Sequence, residues 1–263
     1  MKGSRAGSWP STWSTAGPSP STWWNHGRCR VINLRIDDTP VQAEPNSTIL
    51  TAARAAGIRI PTLCHLDALR PVGACRLCLV EVRNWNGRLV PACATPVQEG
   101  LDVVANSDRL ASLRRTILEL LFAERNHICA FCVSNGHCEL QDLATELGMD
   151  HVTFPYRFPA LAVDASHAKF GIDHNRCVLC GRCVRACAEV EGAFTWGFAG
   201  RGVHTLVDAD LGEPWGESET CTGCGKCVQA CPTGALFEKG KATAEQVKRP
   251  ALLADVTQRR PRA

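Results

Sequence analysis

The opening thirty residues contain Lys2 and Arg5 but no apolar h-region and no twin-arginine pair. A secretory or Tat signal is therefore not expected. No stretch of the chain approaches the roughly 20 apolar residues that a membrane span requires. A dominant charge is also lacking. Lys and Arg number 29 against 26 Asp and Glu, and the net +3 is too small for a nucleic-acid footprint. The chain has no P-loop, no GxGxxG turn and no RNA-binding motif, so no nucleotide is held by a recognisable mechanism. No general base, nucleophile or substrate pocket can be assigned either. Without an export signal, the expected location is a reducing cytoplasm, where structural disulfides are disfavoured.

What is abundant is cysteine, with sixteen in 263 residues. The rest of the composition is ordinary for a globular chain, 45% hydrophobic and 21% charged, and the length allows two or three small domains. With disulfides disfavoured, zinc and iron–sulfur clusters remain.

Residues 1–30 are a low-complexity extension rich in Ser, Thr, Gly, Pro and Trp, which cannot build its own core. Its tryptophans (Trp9, Trp13, Trp23, Trp24) would suit packing on a partner; a loose extension or an over-long start is the plainer reading. Val31 to Ile36 reads as a strand, Asp37-Asp38 as a turn and Pro40 to Glu44 as the hairpin partner. Thr48 to Ala56 reads as a helix capped by Ser47 and closed by Gly57. Leu77 to Arg83 and Arg88 to Val90 read as a second hairpin turning at Asn86-Gly87. This order suits an α+β domain over residues 31–106. Leu110, Leu113, Ile117, Leu120 and Leu121 then recur at helical spacing behind Asp108, and a further helix runs from Cys138 to Leu147. These helices define a segment over 107–160, which ends in the extended linker Phe154 to Pro159. Residues 161–240 form a third segment and 241–263 a basic tail.

The third segment contains a repeat. Cys177-x2-Cys180-x2-Cys183-x3-Cys187 recurs as Cys221-x2-Cys224-x2-Cys227-x3-Cys231-Pro232. Zinc sites use paired C-x2-C knuckles instead. The doubled run is the signature of bacterial ferredoxins with two [4Fe–4S] clusters, in which the fourth cysteine of each run ligates the other cluster. That signature implies the sets Cys177, Cys180, Cys183, Cys231 and Cys187, Cys221, Cys224, Cys227. Gly181, Gly223 and Gly225 let main-chain amides approach sulfur. Ala188 stands where the signature has proline, which alters the local turn and not the ligand.

In the first domain, Cys64-x10-Cys75-x2-Cys78-x14-Cys93 offers four thiolates, enough for a [2Fe–2S] rhomb, at a spacing that is not plant-type. Between the two lies His127-x-Cys129-x2-Cys132-x5-Cys138-Glu139-Leu140-Gln141. Together the three motifs resemble the electron-transfer module shared by respiratory complex I, [FeFe]-hydrogenases and the diaphorase part of NAD-reducing [NiFe]-hydrogenases. The resemblance spans about residues 31–240. It implies a β-grasp [2Fe–2S] ferredoxin domain, a small helical His/Cys [4Fe–4S] domain and a two-[4Fe–4S] ferredoxin domain. In the family's middle motif the histidine stands four residues before the first cysteine. Here His127 stands two before Cys129. His127 is the candidate fourth ligand and His137 the alternative. Cys29 is left over as a free thiol.

The chain stops at Ala263, soon after the repeat, which favours the short diaphorase iron–sulfur subunit of an NAD-reducing hydrogenase. Asp173 to Cys180, Glu191 to Trp196 and Ala199 to Gly202 look especially like it. The resemblance then implies relay of electrons between [NiFe]-hydrogenase subunits and a flavin subunit where FMN reduces NAD+. FMN, NAD and the Ni–Fe site would all lie on partners. The alternatives are relay in another NAD-linked oxidoreductase (formate dehydrogenase, multimeric [FeFe]-hydrogenase or complex I-like), a free ferredoxin-like carrier, or a zinc-stabilised scaffold.

Overall fold

Asp37 and Asp38 both take positive φ (47° and 62°), so the first hairpin closes through two residues. It joins β1 (Ile32–Ile36) to β2 (Thr39–Ala43). The computed structural model describes residues 31–259; Cys29 and the tryptophans of residues 1–30 lie outside them. Helix α1 (Ile49–Ala55) follows. Its cap is Thr48, which accepts from the Thr51 amide, and not Ser47 as expected. The Ser47 hydroxyl donates instead to the Glu44 carbonyl at 2.7 Å.

The second hairpin is β3 (Leu79–Val82) and β4 (Arg88–Pro91), reversing through a short 3-10 turn and Asn86-Gly87. Strand β5 (Asp102–Val104) had no sequence signal. It inserts between the hairpins, parallel to β1 and antiparallel to β3, giving the order β2-β1-β5-β3-β4. Inward-facing Leu34, Ile36, Val80, Val82 and Val103 pack on Ile49, Leu50 and Ala53 of α1.

Helix α2 (Asp108–Glu124) starts at Ser107, whose hydroxyl accepts from the Leu110 amide. Buried Arg114 ties α2 to the sheet by donating to the carbonyls of Leu79 (2.8 Å) and Ala105 (2.7 Å). Leu118 packs with Leu140 and Leu143 of α3 (Glu139–Glu146) and with Leu63 and Leu77 of the first domain. The stretch expected as an extended linker is not uniformly so. Phe158 takes φ 44°, its ring stacked on Tyr156, while the Arg157 amide donates back to Ala123. Those contacts override the preference of a residue before proline.

The remaining residues fold around the repeat. Strand β10 (Leu236–Glu238) pairs with β7 (Phe170–Asp173), which also pairs with β6 (Val163–Asp164). A ribbon of β8 (Trp196–Ala199) and β9 (Leu206–Ala209) lies alongside. Helices α4 (Arg182–Arg185) and α5 (Lys226–Ala230) occupy equivalent places in the repeat. Gly181 and Gly225 precede them with φ 67° and 71°, and a Cβ would press on Phe198 or Phe170. The two halves then diverge. Pro232 ends α5 cleanly, whereas without proline the chain continues past α4 as a π-helical turn, Ala186–Glu191, carrying Cys187.

The segment after 240, expected as a tail, is ordered as far as residue 259. Helix α6 (Ala251–Arg259) buries Leu253 against Leu69, Ala186, Val190 and Ala230. Among the described residues, no helix is long and apolar enough to cross a membrane.

Candidate metal centres

Cys64, Cys75, Cys78 and Cys93 meet beside α1 and the β3–β4 hairpin, Cys64 and Cys93 fully buried. The loop crosses itself there. The Cys64 amide donates to Cys75 Sγ at 3.4 Å and the Cys75 amide to Cys64 Sγ at 3.5 Å. The crowding of the thiols drives the Cys64 pKa down and those of Cys75 and Cys93 up. Arg76, between two of the cysteines, is held at φ 60°. Such strain in a non-glycine residue is characteristic of functional loops.

The middle motif forms a small hollow lined by His127, Cys129, Cys132 and Cys138, with Phe122 and Leu140 as apolar wall. His127 Nε2 is buried without a hydrogen-bond partner. Burial, then the charges of Arg176 and Arg125, hold the imidazole down at about 4, so it is neutral with a free lone pair. His137 is exposed and does not line the hollow. The two-residue spacing before Cys129 thus still brings His127 to the three thiols.

The repeat yields two further hollows. One is lined by Cys177, Cys180, Cys183 and, from the other half, Cys231. The other is lined by Cys221, Cys224, Cys227 and, again from the other half, Cys187. Burial pushes the thiols up, Cys177 to about 11 and both Cys180 and Cys227 to about 12. Cys231 runs the other way: burial would raise it, but Lys248 and main-chain donors outweigh that and lower it. Cys224 is exposed, so the second hollow lies nearest the surface.

Several residues around these hollows carried no signal in the cysteine pattern. Trp215 donates from Nε1 to Cys221 Sγ at 3.2 Å, within an aromatic group of Trp196, Phe170 and His167. Arg185 donates from one nitrogen to the carbonyls of Cys64 (2.6 Å) and Cys180 (3.3 Å), linking the first domain to the repeat. Arg182 grips the Glu139 carboxylate at 2.6 and 2.8 Å and donates to the His65 carbonyl. Both arginines interrupt the first cysteine run, where buried cations are otherwise hard to accommodate. Thr233 lines both the His127 hollow and the Cys177 hollow. Thiols ringing apolar hollows, with an unpartnered neutral imidazole in one, form a donor set that fits iron–sulfur clusters.

Comparisons with known proteins agree with this class. Residues 29–108 match a 2Fe-2S iron–sulfur cluster binding domain, 114–153 the NADH-ubiquinone oxidoreductase-G iron–sulfur binding region, and 176–235 a 4Fe-4S dicluster domain. The chain is 36% identical over 180 residues to the gamma subunit of the NAD-reducing hydrogenase HoxS of Cupriavidus necator, covering 68% of this chain and 76% of that protein. It is 36% identical over 177 residues to the mitochondrial NADH-ubiquinone oxidoreductase 78 kDa subunit of Candida albicans, spanning 66% of this chain but 24% of that longer protein. A chain in the crystal structure of an NAD+-reducing [NiFe]-hydrogenase in the H2-reduced state superposes with a TM-score of 0.75 at 40% identity. The match covers 80% of this chain and 88% of that one. The fold and its cysteine-lined hollows define an iron–sulfur electron-transfer protein. More narrowly, the chain belongs to the family of the gamma subunit of NAD-reducing hydrogenase.

Proposed function

We propose that this chain holds one [2Fe–2S] and three [4Fe–4S] clusters and relays electrons between [NiFe]-hydrogenase subunits and an FMN-bearing, NAD-reducing subunit. The net reaction of such a complex is H2 + NAD+ → NADH + H+. The observation that carries this reading is the set of three four-ligand hollows, two of them completed across the repeat. A zinc ion would draw its ligands to one point, whereas a cubane needs a hollow.

The ligand sets proposed are Cys64, Cys75, Cys78 and Cys93 for the [2Fe–2S] cluster, and His127, Cys129, Cys132 and Cys138 for the first [4Fe–4S] cluster. Cys177, Cys180, Cys183 and Cys231 hold the second, and Cys187, Cys221, Cys224 and Cys227 the third. The clusters supply one-electron redox chemistry. The protein holds them apart from water, donates hydrogen bonds toward their sulfur ligands and sets their separation. Thr233, shared by two hollows, is a wall one side chain thick between neighbouring centres. The chain has no substrate site of its own; hydrogen and hydride chemistry reside on partners. Its place is the cytoplasm.

The test is native purification. Nickel, FMN, iron and acid-labile sulfide should co-purify with the chain. Molybdenum or tungsten in place of nickel would sink the hydrogenase assignment, as would NAD+ reduction by H2 with the isolated chain. Replacing Cys231 with Ser should damage the cluster on Cys177, Cys180 and Cys183 in EPR. Damage to the cluster on Cys221, Cys224 and Cys227 instead would reject the crossed ligand sets.

A further inference from the structure

The dicluster match ends at residue 235, yet the chain after it is built into the same site. The Gln246 side chain bonds strand β10 at both edges of Glu238, donating to its carbonyl at 2.6 Å and accepting from its amide at 3.3 Å. The Arg249 amide donates to Gln229 Oε1 at 2.7 Å. Leu253 anchors α6 in an apolar pocket. Between these fixed points Lys248 reaches inward. Its Nζ donates to the Cys231 carbonyl at 3.0 Å and, more closely, to the Thr233 carbonyl.

Two of the cations beside the repeat's hollows are matched: Lys226, next to Cys227, forms an ion pair with Glu191, and Arg182, next to Cys183, grips Glu139. Lys248, like Arg185, instead donates to neutral carbonyls, which leave its charge uncancelled by those bonds. Cys231 is the ligand that completes the Cys177, Cys180, Cys183 hollow, and Thr233 lines that hollow.

We propose that Lys248 is a positioning residue that raises the reduction potential of the [4Fe–4S] cluster on Cys177, Cys180, Cys183 and Cys231, the ligand set proposed above. Reduction adds one electron, delivered along the hydrogenase relay, and no proton. A fixed positive charge close to the centre favours the form with the extra negative charge. The device separates the two clusters of the repeat in potential although their ligand patterns are alike.

The test uses the native complex with Lys248→Met, Lys248→Gln and Lys248→Arg, each assayed for iron per chain and titrated by EPR. The Met and Gln variants should retain full iron. The signal that Cys231→Ser removes should move to more negative potential, and Arg should restore the parental value. Unchanged potentials in both neutral variants would overturn the proposal. So would loss of that cluster's iron in both, which would make Lys248 a clamp. Absence of iron from the parental protein would instead overturn the cluster reading itself.

Discussion

Gly234 is small because Cys132 needs its space: a Cβ there would lie 2.5 Å from Cys132 Sγ. Gly234→Ala must therefore displace a proposed ligand. We expect selective loss of the EPR signal of the His127 site, with an overpacking cost of about 1–3 kcal/mol. The other signals should persist. His127 gives a prediction in pH. Its imidazole takes a proton at 6.5 when unfolded but holds out to about 4 when folded. The folded form disfavours the proton, so its stability is complete above 6.5 and falls as pH drops toward 4. The loss amounts to about 3 kcal/mol for a shift of that size. Thermal scans of the cluster-free chain should show that loss over this window, and His127→Phe should flatten it; an equal acid loss in the variant would contradict this. At this scale the grouping of the cysteines around the hollows was legible in their spacing. Arg182, Arg185 and Trp215 were not, because their partners are main-chain carbonyls, a distant carboxylate and a sulfur that only folding brings near.

Among elements, the hairpins were legible from local chemistry: Asp37-Asp38 and Asn86-Gly87 sit where the turns form. Strand β5 was not, since three residues carry no period and its pairing with β1 is remote in sequence. Helix α6 was not legible because Leu253 is the one residue of the helix that is fully buried. Leu253→Ala should cost about 2–4 kcal/mol, read as an earlier thermal transition and faster exchange in α6 and the π-helical turn. Arg182→Met tests a longer link. It leaves the Glu139 carboxylate and the His65 carbonyl without their donor. Glu139 is 39% exposed and so partly rehydrated, which limits the cost to about 2 kcal/mol, at the low end for a buried pair. Thermal scanning of the native protein is the measurement; an unchanged midpoint would show the pair is dispensable.

Over the whole molecule, two cores differ in what fills them. The five-stranded sheet and α1 enclose aliphatic side chains, while the core around the repeat is made in large part of the cysteines themselves. Stripping iron by oxidation and chelation should therefore loosen residues 161–240 far more than 31–106, as read by hydrogen exchange. Equal loosening would show that the sheet also depends on its cluster. The three cysteine motifs were visible in the sequence because each is contiguous. The arginine links among the modules were not, since Arg185 joins carbonyls 116 residues apart along the chain (180 − 64).

The crossing of Cys231 into the first half of the repeat has a consequence for biosynthesis. A chain leaving the ribosome presents Cys177, Cys180 and Cys183 well before Cys231, and Lys248 later still. Domains form in the order they emerge. The first domain and its four thiols can mature early, while neither half of the repeat can close its hollow alone. On the proposed ligand sets, cluster insertion there waits until Cys231 has emerged, and a product truncated before it would display three unliganded thiols, a ready mark for quality control.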